Sequence, residues 1–195
     1  MMKTVLVTGG NRGIGLEICR QLDALGHTVI MGSRDLQKGE MAAQHFRKKV
    51  IVKQLDVTKE ESIRDLFTFV NTGFGKLDVL VNNAGIGANH KGKEHAVLAK
   101  VKDFIANDLP GAGQVVQLIK PFLQKAGLKP RVEGAASISL AGVRDLMETN
   151  FYGPWRMIQV FLPLLQNSEG GRVINMSSGM GELNSLSGIY PGYSL

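Results

Sequence analysis

The sequence predicts an α/β fold whose core is an open, doubly wound parallel sheet. Short apolar runs alternate with segments of helical periodicity, and a glycine-rich turn follows the first run. The runs are apolar throughout, which is typical of strands buried on both faces of a parallel sheet. Strands and helices that alternate in this way are joined by right-handed crossovers. The predicted architecture is therefore of Rossmann type.

Five strands and four long helices are predicted along the chain. The predicted strands are Thr4–Thr8, Thr28–Met31, Val50–Leu55, Leu77–Val81 and Arg172–Ser177. The predicted helices are Gly13–Leu25, Gln37–Phe46, one that begins at a capping box of Thr58 and Glu61, and Leu140–Gln166 with Ser139 as its N-cap.

The regular alternation stops between about residues 90 and 137, where no strand pattern is visible. Two segments there carry apolar residues on one helical face, and Asp108–Gly113 separates them. A structureless loop of this length is rare inside a domain, so we expect a helical hairpin inserted after the fourth strand. The chain is then expected to be one domain, residues 1–195, without the C-terminal strands of the full fold.

The composition excludes several classes of protein. A hydrophobic fraction of 44% and a charged fraction of 21% are those of an ordinary globular protein rather than a disordered one. Cys19 is the single cysteine, so no intrachain disulfide framework is expected. No run reaches the roughly 20 apolar residues of a membrane span, and no signal-like segment precedes the first strand. We therefore expect a cytoplasmic protein with no membrane partner.

The net charge of +6 favours anionic partners, such as phosphorylated cofactors or nucleic acid. Most of the excess positive charge lies in the predicted insertion, where charges alternate with apolar helix positions and aromatic residues are not interleaved. A solvated helical face explains this pattern better than a nucleic-acid surface does, so no nucleic acid is expected. His90 and His95 have no evident third ligand nearby, so no metal site is expected either.

The segment between the first strand and the first helix reads Thr8-Gly-Gly-Asn-Arg-Gly-Ile-Gly15. Glycines allow a tight turn and let phosphate oxygens approach the helix N-terminus, where free N–H groups favour negative charge. A strand before and a helix after are the context that such a motif requires. We expect the pyrophosphate of a dinucleotide to be bound here, with contacts from Thr8, Gly9, Asn11, Arg12, Gly13, Ile14 and Gly15.

The spacing Gly9-x3-Gly13-x-Gly15 resembles that of the short-chain dehydrogenase/reductase family, and further motifs follow in the order found in that family. They are Asp56-Val57, Asn82-Asn-Ala-Gly85, Asn150, Asn175-Met-Ser-Ser178 and Tyr193. The resemblance covers nearly all of the chain apart from the predicted insertion. Within the family, the segments 11–18 and 148–154 look most like the carbonyl-reductase-like branch.

The end of the second strand bears on the choice of cofactor. NAD enzymes usually place a carboxylate there to bind the ribose 2′-hydroxyl, whereas this chain has Ser33 and Arg34. Arg34 can pair with a 2′-phosphate, and Arg12 is placed to help, as in relatives that depend on NADP. A shift of register would instead bring Asp35 to the ribose. The predicted cofactor is NADP, bound as NADPH.

Two later motifs complete the expected cofactor site. Asp56 and Val57 resemble the pair that contacts the adenine ring, although Asp56 can equally be a turn residue in front of a helix. Asn82, Ala84 and Gly85 resemble the segment that lines the central part of the cofactor and also steadies the sheet.

The resemblance implies a catalytic set of asparagine, serine, tyrosine and lysine. Asn150 would hold a water in a proton relay, and Ser178, rather than its neighbour Ser177, would polarise the carbonyl oxygen of the substrate. Tyr193 would donate the proton while hydride arrives from the nicotinamide.

Tyr193 is preferred to Tyr190 because the residue four positions after Tyr190 is Ser194, which is not a base. The family's lysine lies four positions after the tyrosine, lowers its pKa and binds the nicotinamide ribose. Here that position would follow Leu195, so we expect the N-terminal portion of a longer reductase.

The expected activity is NADPH-dependent reduction of the carbonyl groups of aldehydes, ketones or quinones. The alternative is a cofactor-binding protein without turnover, either truncated or regulatory. The predicted insertion follows the Asn82–Gly85 segment and is expected to cover the mouth of the site as a lid. The family often dimerises through its long helices, but the sequence leaves the oligomeric state open, with a homodimer as one candidate.

Overall fold

The computed structural model describes residues 2–44, 46, 50–87 and 139–177. These residues form a parallel sheet of five strands in the order β3-β2-β1-β4-β5. The predicted doubly wound α/β fold is thus confirmed, while the predicted insertion at about 90–137 lies outside the described residues. The strands are β1 (Thr4–Thr8), β2 (Thr28–Ser33), β3 (Ile51–Gln54), β4 (Val79–Asn82) and β5 (Arg172–Asn175).

The helices of the described part lie between the strands. They are α1 (Gly13–Ala24), α2 (Leu36–Ala43), α3 (Glu60–Phe74), α4 (Leu140–Met147) and α5 (Gly153–Gln166), with a π-helical turn, Glu148–Tyr152, between the last two. The Ser139 hydroxyl accepts the N–H of Gly142 at 3.1 Å, which confirms Ser139 as the N-cap of α4.

The core consists of two layers of apolar side chains, one on each face of the sheet. In β1, Leu6 faces the layer that contains Phe161 of α5 and Ile63 of α3, whereas Val5 and Val7 face the layer beneath α1. This arrangement follows from the period of two in a strand, which turns neighbouring side chains to opposite faces. Burial of each large apolar side chain stabilises the fold by about 1.5–3 kcal/mol.

The N-terminal edge of the sheet is tied together by Asp78. Its carboxylate accepts the N–H of Thr4 at 2.7 Å, the hydroxyl of Ser168 at 2.5 Å and the ammonium of Lys76 at 3.3 Å. Burial of Asp78 opposes its ionisation, but these three donors outweigh that effect and hold the pKa of the carboxyl below 3.8. The carboxylate thus links β1, β4 and the residues after α5.

The start of α3 differs from the predicted capping box. Lys59, not Thr58, is the N-cap of α3, and it makes no side-chain capping bond. Thr58 bonds backwards instead: its N–H and its hydroxyl both donate to Asp56 Oδ1, at 3.0 Å and 2.7 Å. The Asp56 side chain therefore forms a local turn that engages the Thr58 hydroxyl before the helix begins.

The long helix predicted at Leu140–Gln166 is interrupted by the π-helical turn. The turn is closed by the Gly153 N–H, which donates to the carbonyl of Glu148 five residues earlier. Pro154 follows and has no N–H to donate to the Asn150 carbonyl, so a regular α-helical bond is unavailable there. Across the described ranges, no helix is long and apolar enough to cross a membrane.

Candidate active site

The glycine-rich turn connects the C-terminal end of β1 to α1, and its geometry requires glycine at several positions. Gly9 has φ +63°, a conformation that side chains other than glycine's rarely adopt. A Cβ on Gly15 would overlap the Asn83 amide and the Gly9 carbonyl oxygen. The N-cap of α1, Arg12, makes no side-chain capping bond. The first N–H groups of α1 are therefore available to an anionic ligand.

The turn is fastened to the residues that follow β4. The Thr8 hydroxyl oxygen accepts the N–H groups of Asn83 and Ala84, both at 2.9 Å. Asn83 Nδ2 donates back to the carbonyls of Thr8 and Gly9, at 3.0 and 3.1 Å. Asn83 was not predicted to have a role of its own, because its contribution depends on a neighbouring strand distant in sequence. The turn and the Asn82–Gly85 segment therefore form one rigid unit.

This unit lies where the order of the strands reverses. The chain runs from β1 to β2 on one side and returns past β1 to β4 on the other. Crevices at such points, beyond the carboxyl ends of the strands, are the usual ligand sites of open α/β sheets. Arg12, Gly13 and Ile14 are exposed at this position, whereas Thr8 and Gly15 are buried beneath them.

At the end of β2, Ser33 and Asp35 are held by local contacts, whereas the Arg34 side chain is exposed. The buried Ser33 hydroxyl donates to the Asp35 carbonyl at 2.6 Å. The Asp35 carboxylate accepts the N–H of Lys38 at 3.1 Å as the N-cap of α2, and it pairs with Lys38 Nζ at 2.9 Å. These bonds from Lys38 lower the pKa of Asp35, so the carboxyl is ionised. Each of its two oxygens is bonded to Lys38 of α2.

Arg34 and Asp56 line the same open groove, of about 520 Å³, at the ends of β2 and β3. Gln54 supports the groove by donating from Nε2 to the Arg34 carbonyl at 3.5 Å. Two further cations, Lys53 and Lys59, line it together with the carboxylates of Glu61 and Asp65, and none of these four was predicted from the sequence as a site residue. Only the pairing of Gly32 with Lys53 between β2 and β3 reveals that Lys53 is near Arg34.

Asp56 and Val57 have different environments. Asp56 Oδ1 holds the turn described above, and its backbone N–H donates to Ser62 Oγ at 3.0 Å. Val57 is buried and faces Gly153, where a Cβ would lie 2.8 Å from Val57 Cγ2. Any ligand contact from Val57 would therefore involve its backbone rather than its side chain.

The Asn150 side chain is bonded to the loop after β4. Asn150 Oδ1 accepts the N–H of Ile86 at 2.9 Å, and Asn150 Nδ2 donates to the Ile86 carbonyl at 2.8 Å. Gly85 lies alongside, since a Cβ there would be 3.5 Å from Asn150 Oδ1. The π-helical turn thus presents its central residue to the Asn82–Gly85 segment.

The last described strand, β5, is joined to β4 by side chains as well as by backbone. Asn82 Nδ2 donates to Asn175 Oδ1 at 2.8 Å, and the two residues are paired in the sheet register. The described residues end shortly afterwards, at Ser177. Of the three predicted catalytic residues, only Asn150 is described, because Ser178 and Tyr193 lie outside the described residues.

A family model described as short chain dehydrogenase matches residues 3–129 and 122–194. The chain belongs to the short-chain dehydrogenase family. The Gly9–Gly15 turn, the Asn82–Gly85 segment and Asn150 lie within the matched residues, and the predicted resemblance is confirmed. Within the described part of this family member, no cluster of three or more metal-ligating side chains occurs.

Several individual members of the family are similar to this chain. (+)-Neomenthol dehydrogenase of Arabidopsis thaliana is 51% identical over 89 residues, which are 42% of this chain and 30% of that protein. Carbonyl reductase [NADPH] 1 of Homo sapiens is 46% identical over 85 residues, 42% of this chain and 31% of that protein. The matched segment thus spans just under a third of these curated relatives.

A solved structure extends the similarity over most of the chain. Salutaridine reductase of Papaver somniferum superposes with a TM-score of 0.71 and 31% identity, covering 94% of this chain and 60% of that one. The structural similarity thus extends well beyond the segment that the curated relatives match.

Proposed function

We propose that this short-chain dehydrogenase binds NADPH and serves the reduction of carbonyl groups in aldehydes, ketones or quinones. The observation that carries the proposal is the arrangement at the end of β2. The Asp35 carboxylate is exposed but bonded to Lys38 of α2, whereas the exposed Arg34 side chain has no partner among the described residues. A carboxylate suited to a free ribose 2′-hydroxyl is thus occupied, while a guanidinium suited to a 2′-phosphate is available.

The choice of NADPH has support on two further sides. Arg12 is exposed at the N-terminus of α1, beside the turn that would hold the pyrophosphate, so it is a second guanidinium available to a phosphate. The human relative is named carbonyl reductase [NADPH] 1, which specifies the same reduced cofactor.

The cofactor would fit the crevice as follows. Gly9, Gly13 and Gly15 would shape the turn that receives the pyrophosphate at the start of α1, with Thr8, Asn11 and Ile14 forming the rest of the turn. Ser33 supports the backbone beside Arg34 through its bond to the Asp35 carbonyl. The adenine ring would lie by Asp56 and the backbone of Val57, and the central part of the cofactor by Asn82, Ala84 and Gly85.

The bound cofactor would supply the hydride, and the protein would supply the proton. In the proposed arrangement Tyr193 donates the proton to the carbonyl oxygen and Ser178 polarises that oxygen by hydrogen bonding. Asn150 would keep a water in place for the proton relay. Its side chain is bonded to both backbone groups of Ile86, so its backbone carbonyl is the group proposed to contact that water.

Two measurements on the purified chain test the proposal. Quenching or enhancement of NADPH fluorescence gives the dissociation constant, and absorbance of the reduced nicotinamide follows its consumption with a reactive dicarbonyl. Tight NADPH binding is the expected result, and consumption would extend the proposal to turnover by the residues present. Binding without consumption would support the cofactor-binding alternative instead, and absence of NADPH binding would overturn both. Arg34→Ala should weaken the binding of NADPH. Its matched control is Arg64→Ala, which breaks an exposed ion pair with Glu60 on α3 and should leave that binding unchanged.

A further inference from the structure

An ion pair spans the π-helical turn between α4 and α5. Arg156 Nη1 lies 2.8 Å from Glu148 Oε2, with the two side chains 32% and 43% exposed. Tyr152 lies beside the pair, with its ring centroid 5.9 Å from the Arg156 guanidinium carbon. Glu148 is the first residue of the turn, and Arg156 belongs to the first turn of α5. The pair therefore connects the two sides of the interruption.

Helix geometry explains why this pair depends on the interruption. In a regular α-helix, residues eight apart are rotated by about 80° around the axis, so their side chains diverge. A π-helical turn accommodates one extra residue, and the same two positions then behave roughly as residues seven apart, about 20° from alignment. Glu148 and Arg156 therefore share a face because the turn is π-helical, and their attraction favours that turn over a regular helix.

The same turn carries Asn150, whose side chain is bonded to both backbone groups of Ile86. If residues 148–152 became regular α-helix, the side chains on either side of the turn would rotate relative to one another by about 100°. Asn150 could then no longer face Ile86 while Met157 and Phe161 remain in the core. Whatever stabilises the π-helical turn therefore also maintains the bonds between Asn150 and Ile86.

We propose that Glu148 and Arg156 are positioning residues, and that their ion pair holds the π-helical turn so that Asn150 stays bonded to Ile86. Tyr152 supports the arrangement by packing beside the guanidinium. The importance of this role for catalysis rests on the function proposed for Asn150, whereas the structural coupling itself does not. The competing explanation is an ordinary partly exposed ion pair that contributes a little to helix stability and nothing to Ile86.

Amide hydrogen exchange of Ile86, followed by NMR, distinguishes these explanations. The Ile86 N–H is protected by Asn150 Oδ1, so its exchange rate reports how often that bond opens. In Arg156→Met and in the isosteric Glu148→Gln, we expect Ile86 to exchange about two- to fivefold faster, since partly exposed ion pairs have effects of this size. The Asn83 N–H, which is bonded to Thr8 Oγ1, is expected to keep its rate.

Two further variants complete the experiment. The double charge reversal Glu148→Arg with Arg156→Glu is expected to restore the protection of Ile86, because it recreates the pair. Arg64→Met removes an exposed ion pair of α3 and is expected to leave Ile86 unchanged. Unchanged exchange of Ile86 in both single variants would overturn the proposal, as would an equal acceleration of Ile86 and Asn83. None of these measurements requires cofactor or turnover, so their outcome is independent of the proposed function.

Discussion

Thr8 and Asn83 are joined by hydrogen bonds in both directions. The Asn83 N–H donates to Thr8 Oγ1 at 2.9 Å, and Asn83 Nδ2 donates to the Thr8 carbonyl at 3.0 Å. Since Ala84 also donates to Thr8 Oγ1, a single hydroxyl fastens the glycine-rich turn to the end of β4. The shape of the turn is thus determined jointly by two segments that are distant in sequence.

Replacement of Thr8 tests this connection. Thr8→Val keeps the shape of the side chain but leaves the N–H groups of Asn83 and Ala84 without their acceptor. Each unsatisfied group costs about 1–3 kcal/mol, so we expect Thr8→Val to lower the free energy of unfolding by about 2 kcal/mol or more. Denaturant unfolding measures the change. Thr8→Ser keeps the hydroxyl and is the control; equal losses in both variants would contradict the prediction.

Arg34 is predicted to discriminate between the two nicotinamide cofactors. Because a charge-assisted bond to a 2′-phosphate is worth about 1.5–3 kcal/mol, Arg34→Ala should weaken NADPH binding by about 10- to 100-fold. NADH lacks that phosphate, so its dissociation constant should barely change. Fluorescence titration with both cofactors measures the two effects. A similar loss for NADH and NADPH would show that Arg34 does not contact the phosphate.

Gly153 allows the π-helical turn to approach the loop after β3. A Cβ there would lie 2.8 Å from Val57 Cγ2, so Gly153→Ala should destabilise the fold by about 1–3 kcal/mol through overpacking. The control is Gly73→Ala in α3, where a Cβ would meet nothing within 4 Å and the gain in helix propensity should be up to about 1 kcal/mol. Thermal unfolding measures both.

A second-site change makes the Gly153 test specific. In the double variant Gly153→Ala with Val57→Ala, the clash is removed. The loss of stability in the double variant should therefore be smaller than the sum of the losses in the two single variants. Simple additivity would indicate that Gly153 is needed for some reason other than its contact with Val57.

Asp78 makes the stability depend on acid. Its pKa is lowered in the folded protein, so the stabilisation is fully present above the ordinary value of 3.8 and is lost as the pH falls through the folded value. Asp78→Asn should therefore be less stable at neutral pH and show a shallower loss of stability below about pH 4. Denaturant unfolding at a series of pH values measures this slope.

Glu17 provides a comparison for Asp78. Hydrogen bonds from Arg20 and Gln21 lower the pKa of Glu17 to about 2, but the pair with Arg20 lies on the exposed face of α1. Salt screens such exposed pairs, so Glu17→Gln should have an effect that fades at high ionic strength. The effect of Asp78→Asn should persist there, because the Asp78 carboxylate is buried with its hydrogen-bond donors. Loss of both effects with salt would contradict this explanation.

The features that the sequence predicts well are those specified by neighbouring residues. The limits of β1 are correct because an apolar run ends directly in glycines, and Ser139 caps α4 because its hydroxyl reaches an N–H three residues away. The capping box at Thr58 was wrong because Asp56, two residues earlier, competes for the same hydroxyl.

The features that the sequence does not reveal depend on contacts across the sheet. Apolar spacing over 140–166 is compatible with one continuous helix, and the π-helical turn becomes necessary only when Asn150 must meet Ile86. Asn83 and Lys53 likewise reach the site through the register of neighbouring strands. The family resemblance identified the position of Asn150 but not the contact that holds it.

The buried thiol of Cys19 lies directly beneath the glycine-rich turn, since a Cβ on Gly10 would be 3.0 Å from Cys19 Sγ. Burial raises the pKa of this thiol to about 12, so it stays protonated and unreactive while α1 is packed on the sheet. A thiol reagent can reach it only when that helix lifts. Because the chain has one cysteine, the rate at which a thiol reagent labels Cys19 measures how often that opening occurs. A cofactor bound at the turn should lower this labelling rate.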